Sequence, residues 1–185
     1  MLENSVVSRV VELFDSTCIS QFESMGCAVH KVDKPSAWPG LLSAHIDAVS
    51  KDLSVELLLI APSPLLAQTM PSGDGYSVAD PDLQKDWLLE LANRFVGRLK
   101  NKLVEHGSVL KIGFPVANDT ENDKKVFIKN VQGDEIVRCF EVAGDVAADV
   151  IECRLYISLH NEALELLDHE DEDEDWFSES ELQDF

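Results

Sequence analysis

The chain has 185 residues, room for one domain or for one domain and a tail, and its 45% hydrophobic content is enough for a sizeable core. Its 15 Lys and Arg stand against 35 Asp and Glu, a formal charge of −20. That balance speaks against binding a nucleic-acid backbone, which needs a basic face, and against an anionic membrane surface. No run approaches the roughly 18 apolar residues of a membrane span. The opening MLENSVVSRVVELF has neither a basic leader nor a small-residue cleavage site, so no secretory signal is expected. The expected partner is a protein.

In chain order, Val6, Val10, Leu13, Phe14 and Phe22 recur at helical spacing, which predicts a helix from Val6 to about Met25 with Gly26 as its stop. Val29–Val32 reads as a short strand, followed by a connection through Pro35, Pro39 and Gly40. Leu41–Val49 and Leu53–Ala61 read as two strands joined around Lys51 and Asp52. Pro64 suits the start of a short helix running to Met70, and Pro71–Asp80 reads as a loop. The strongest helix is 81–106, with Asp80 as N-cap, Pro81 in the first turn and Gly107 as the stop. Strands are expected over Val109–Phe114, Val126–Val131, Glu135–Val142 and Val150–Leu159, with Asn118–Asp123 as a polar loop and Gln132-Gly133-Asp134 as a hairpin turn. This order predicts an α+β fold, an antiparallel-rich sheet with helices packed on it.

The charge is unevenly spread. Residues 165–185 carry 11 acidic residues and no Lys or Arg, which leaves 24 acidic and 15 basic residues over 1–164. The reading is one domain over 1–164 and an acidic tail over 165–185. Six successive carboxylates from Glu170 to Asp175 repel one another and favour a solvated tail. Trp176, Phe177, Leu182 and Phe185 leave open that the tail docks on a partner or on the domain itself. The four cysteines, Cys18, Cys27, Cys139 and Cys153, form no C-x-x-C pair and read as reduced structural thiols, which points to the cytoplasm. The five histidines never fall at i, i+4, so neither a metal site nor a catalytic triad is expected.

On a helical wheel, Leu88, Leu89, Ala92, Phe95, Val96, Leu99 and Leu103 form the predicted buried arc of 81–106. On another side Asp86, Glu90, Asn93 and Gly97 make a line at spacings of four, three and four, which stacks them along the helix. Ordinary explanations exist for three of these, since Glu favours helices, Asp favours the first turn and Asn is common on surfaces. Gly97 is harder to explain, because an interior helical Gly costs about 1 kcal/mol relative to Ala. Close approach of another surface would account for it.

The local text DWLLELANRFVGRLKNKLVEHG, followed by SVLKIGFP, resembles the signature of the CheC/CheX/FliY chemotaxis phosphatases. Their pattern is an Asp or Ser, three residues, Glu, two residues, Asn, then a proline about 22 residues on. Here Asp86, Glu90 and Asn93 match, and Pro115 lies about one residue from the usual spacing. The motif occurs once, as in the CheX branch, and the resemblance covers roughly residues 1–160 and leaves out the acidic tail.

The resemblance implies a CheC-like fold and an activity: hydrolysis of the phosphoaspartate of a CheY-like receiver domain in chemotaxis or two-component signalling. It implies that the partner supplies the phosphorylated Asp, a Lys and Mg²⁺, so the chain needs no cofactor, metal or nucleophile of its own. Asn93 would orient the attacking water and Glu90 would pair with the receiver's Lys. Asp86 would support the interface edge, Gly97 would admit the receiver, and Pro115 would shape the border of the site. The resemblance also allows a homodimer. A receiver active site is acidic, as is this chain, so Arg94 and Lys100, which flank the polar line, are expected to offset repulsion on docking, unless they only form a solvated face. The tail is a candidate cover for this basic helix in the free protein. A non-catalytic adaptor or sequestering module that binds a receiver through the same helix is the alternative.

Overall fold

The structure is a computed structural model and describes residues 5–34, 41–71, 80–118, 127–128, 131–144, 147–161 and 163–166. Its elements are α1 (Ser5–Glu23), β1 (Ala28–Val32), β2 (Leu41–Val49), β3 (Leu53–Pro62), α2 (Ser63–Thr69), α3 (Pro81–Glu105), β4 (Lys111–Ile112), β5 (Val116–Asn118), β6 (Asp134–Ala143) and β7 (Ala148–Leu159). Among the described residues they build a seven-stranded sheet in the order β1-β6-β7-β3-β2-β4, with β5 also paired to β2. Every pairing is antiparallel. The α+β expectation holds. Among the described residues no helix is long and apolar enough to cross a membrane.

Strand alternation decides which side of the sheet the helices cover. Ala44, Ile46 and Ala48 of β2, Val55, Leu57 and Leu59 of β3, and Ile151, Cys153, Leu155 and Ile157 of β7 join α1 and α3 in the main core. Phe95 of α3 is its pivot, edge-on to Phe14 at 6.3 Å and to Phe22 at 5.5 Å between ring centroids. All four cysteines are free and buried. Asp15 of α1 ties the other flank of the sheet by accepting from Lys31 at 2.6 Å and Arg138 at 3.1 Å.

Both long helices end as their glycines predict. Gly26 and Gly107 sit at φ of 80° and 84°. Cys27 N bonds to Phe22 O and Gly26 N to Glu23 O, while Ser108 N bonds to Leu103 O and Gly107 N to Val104 O. These paired bonds are Schellman closures, for which a residue without Cβ is best suited. At its start α3 is capped by Asp80, which accepts from Asp82 N at 2.9 Å.

Two expectations change in the second half of the chain. Phe127 and Ile128 are helical, not part of a strand over 126–131, and Val131 N bonds to Phe127 O at 3.0 Å. The i, i+1, i+4 placement of Phe127, Ile128 and Val131 puts all three against Leu58, Ile60 and Tyr156 on the sheet face away from the helices. There Tyr156 donates to Glu135 at 2.8 Å. Burial first, then this carboxylate, pushes its phenol up to about 12.

The second change is at the edge. In place of one strand over Val109–Phe114, two short strands flank an interruption. Ala48 faces Ile112 but His45 faces Val116, so four steps along the edge match three along β2. That is a one-residue β-bulge, and Gly113, Phe114 and Pro115 form it. Pro115 has no N–H to offer a ladder, which explains why the strand breaks there. Within the acidic segment, residues beyond Leu166 lie outside the described residues, as do residues 72–79 of the expected loop.

Candidate functional site

α3 packs over β2 near this bulged edge, with α1 on its other flank. Its buried residues are Gln84, Trp87, Leu88, Leu91, Ala92, Phe95, Val96, Leu99 and Leu103. Leu89, expected inside, is partly buried, while Trp87 and Leu91 are core residues that the wheel reading omitted. Asp86 and Asn93 are exposed and Glu90 and Gly97 half-buried, so the polar line lies on the outer side, as its spacing predicts. From Asp86 to Gly97 it runs about 17 Å at the helical rise.

Glu90 does not stand alone. Arg94 Nε donates to its Oε1 at 2.7 Å, one turn on. Their side chains keep 45% and 41% of their surface in solvent. An exposed pair of this kind is worth about 0.3–0.5 kcal/mol, so it costs little to open. The guanidinium also lies 5.1 Å from the centroid of the Trp87 ring. Trp87 in turn donates from Nε1 to Thr69 Oγ1 of α2 at 3.0 Å. This buried Trp supports the site and went unread in the sequence. The signal was its i, i+7 relation to Arg94, two helical turns on the same side.

Asn93, Arg94, Gly97 and Lys100 line one shallow, open depression of about 560 Å³, together with Gln21 of α1, Arg98, Asn101 and Ile112 of β4. The dip centres on Gly97, where an added Cβ would meet nothing within 4 Å. No packing demand of the chain itself therefore requires glycine there. Arg98 and Lys102 lean toward α1, with Nη1 3.4 Å from Ser20 Oγ and Nζ 2.8 Å from Ser16 Oγ. Among the described residues no carboxylate pairs with Arg98 or Lys100. The carbonyl oxygen of Gln21, a side chain 2% exposed, has no hydrogen-bond partner there either. The lining of the depression thus carries three cationic side chains and no carboxylate, within an acidic chain.

Asp86, Glu90 and Pro115 are outside the lining of the depression. Asp86 and Glu90 lie further toward the N-terminus of the same helix, and Pro115 lies on the bulge three residues beyond Ile112. The arrangement offers a neutral amide, a nearby carboxylate and several cations on one rigid helix. Such a set has the chemistry to hold an anionic group and a water, and among the described residues that line the depression there is no Ser, Cys or His.

No family model and no curated protein matches the sequence. Solved structures do match. The chemotaxis protein CheX from Vibrio vulnificus is similar over 80% of this chain and 96% of its own, at 15% identity and a TM-score of 0.59. A chemotactic CheC-like protein from Shewanella oneidensis is similar over 80% and 97%, at 16% identity and a TM-score of 0.56. The structure of the CheX–CheY–BeF₃–Mg²⁺ complex from Borrelia burgdorferi matches over 80% and 97%, at 14% identity and a TM-score of 0.52. At these identities the likeness is one of architecture, and the chain has the fold of the CheX and CheC-like chemotaxis proteins.

Proposed function

We propose that this protein is a phosphatase that removes phosphate from the phosphoaspartate of a CheY-like receiver domain. The observation that carries the reading is the outward line of Asp86, Glu90, Asn93 and Gly97 on α3. It stands in a fold shared with a CheX whose structure was solved in complex with CheY. An acyl phosphate is already activated, so catalysis reduces to positioning and electrostatics. A water oxygen bonds to phosphorus as the bond from phosphorus to the aspartyl oxygen breaks, leaving inorganic phosphate and a free carboxylate. Asn93 orients that water. Its amide accepts from one group and donates to another without adding negative charge beside the phosphate. The receiver brings its Lys and Mg²⁺, and the chain contributes no cofactor.

Glu90 takes the receiver's Lys in exchange for Arg94. The freed guanidinium, with Lys100 and Arg98, then faces the receiver's acidic site and offsets the repulsion between two acidic proteins. Asp86 supports the end of the interface, Gly97 lets the partner's backbone come close to the helix, and Pro115 fixes the border. The reading implies a cytoplasmic protein, since receiver domains work there.

The test is phosphate loss from phosphorylated receiver domains mixed with wild type, Glu90→Ala or Asn93→Ala. Acceleration by wild type that collapses in Asn93→Ala supports the phosphatase. Tight binding with no acceleration by any variant would replace it with a receiver-binding adaptor.

A further inference from the structure

We infer that Phe114 is a hydrophobic anchor for the receiver domain, a docking residue outside the Asp-Glu-Asn line; this rests on the function proposed above. Its side chain is 90% exposed, far more than an aromatic residue gains from water. The backbone holds it out firmly. Gly113 N donates to Asp47 O at 2.9 Å, and a Cβ at Gly113 would run into the Asp47 carboxylate, so the chain grips β2 immediately before Phe114. Pro115 fixes φ immediately after it. The one-residue bulge between these points presents Phe114 from a rigid edge.

Its position ties it to the depression. Ile112, two residues earlier, lines that depression beside Gly97 and Asn101. β4 and β5, on either side of Phe114, both contact α3. Two to three residues of extended chain cover about 7–10 Å, the rise of roughly four to seven helical residues. Phe114 and Pro115 therefore lie within that reach of Ile112 and the lining. An apolar knob therefore stands two residues from a lining residue of a basic hollow that holds a neutral amide. The surface that fits both is a receiver's phosphorylated acidic centre with an apolar patch beside it. Edge-to-edge pairing with a second copy fits poorly, because the bulge and Pro115 interrupt the ladder that a new strand would extend. Desolvated aromatic anchors of this kind dominate binding energy when they find a pocket.

The full chain is titrated against a receiver held in its activated form by beryllofluoride and Mg²⁺. Phe114→Ala is expected to weaken binding by about 10- to 100-fold. Phe114→Leu should recover part of the loss, and Val109→Ala, exposed but off the bulge, should bind as wild type. In phosphate release the Phe114→Ala effect should fall on KM and leave kcat unchanged. Phe114→Ala binding as wild type would overturn the anchor while the phosphatase reading stands, as would a fall in kcat at unchanged affinity. Failure of wild type to bind any receiver would overturn both. A shift of Phe114→Ala from dimer to monomer in sedimentation would assign the patch to a second copy and overturn the inference.

Discussion

The two sides of α3 are built to different demands. On the inner side every position answers to a neighbour: Phe95 meets two other rings, and Trp87 is locked to Thr69. On the outer side Asn93 is exposed, Glu90 is held by one exposed ion pair, and Gly97 leaves space that none of the described residues fills. The fold accounts for the inner residues, whereas on the outer side it leaves Gly97 unexplained. A helix can thus be rigid because of one face and available because of the other, which a positioning catalyst requires.

This contrast predicts that substitutions on the two sides separate stability from activity. The largest expected effect is Phe95→Ala, which opens a cavity and destabilises the fold by about 3–5 kcal/mol in chemical denaturation. Molecules that still fold should keep their turnover. Asn93→Ala should do the reverse. Stability should stay within about 0.5 kcal/mol, while phosphate release falls about 10²–10³-fold, roughly 2.7–4 kcal/mol in the barrier. Gly97→Ala should raise stability by about 1 kcal/mol, since Ala is the better helix former and its methyl meets open space. Gly97→Gln should fold equally well yet weaken receiver binding, because the hollow is then filled. The smallest effect is Arg94→Gln, which removes an exposed pair and should cost stability only about 0.3–0.5 kcal/mol. Its docking defect should shrink as salt is raised. If Gly97→Gln binds as wild type, the contrast between the two faces fails at the residue that most needs a partner to explain it.

The sequence made α3 legible because several local signals agree there: Asp80, Pro81 and Gly107 bound it, and its apolar and polar positions repeat at the helical period. The long strands were legible through alternation and breaks, and β2 runs over Leu41–Val49 as read. Legibility failed where tertiary contacts override pattern. Phe127, Ile128 and Val131 look like strand residues but form a helical turn over Tyr156 and its neighbours. Likewise the continuous apolar text around Phe114 hid a bulge that appears only in the register against β2. At the site, the polar line could be read from spacing, while the roles proposed for its members come from the resemblance of the motif. The Glu90–Arg94 pair and the support from Trp87 depend on rotamers, which spacing does not fix.

The central claim is that Asn93 acts in the chemistry and not in the grip. It is tested most directly by measuring, on one phosphorylated receiver, both the affinity and the single-turnover rate of phosphate loss for wild type and Asn93→Ala. Asn93→Ala is expected to bind as tightly as wild type while phosphate loss returns to the receiver's own rate. Acceleration by Asn93→Ala equal to that of wild type would contradict it.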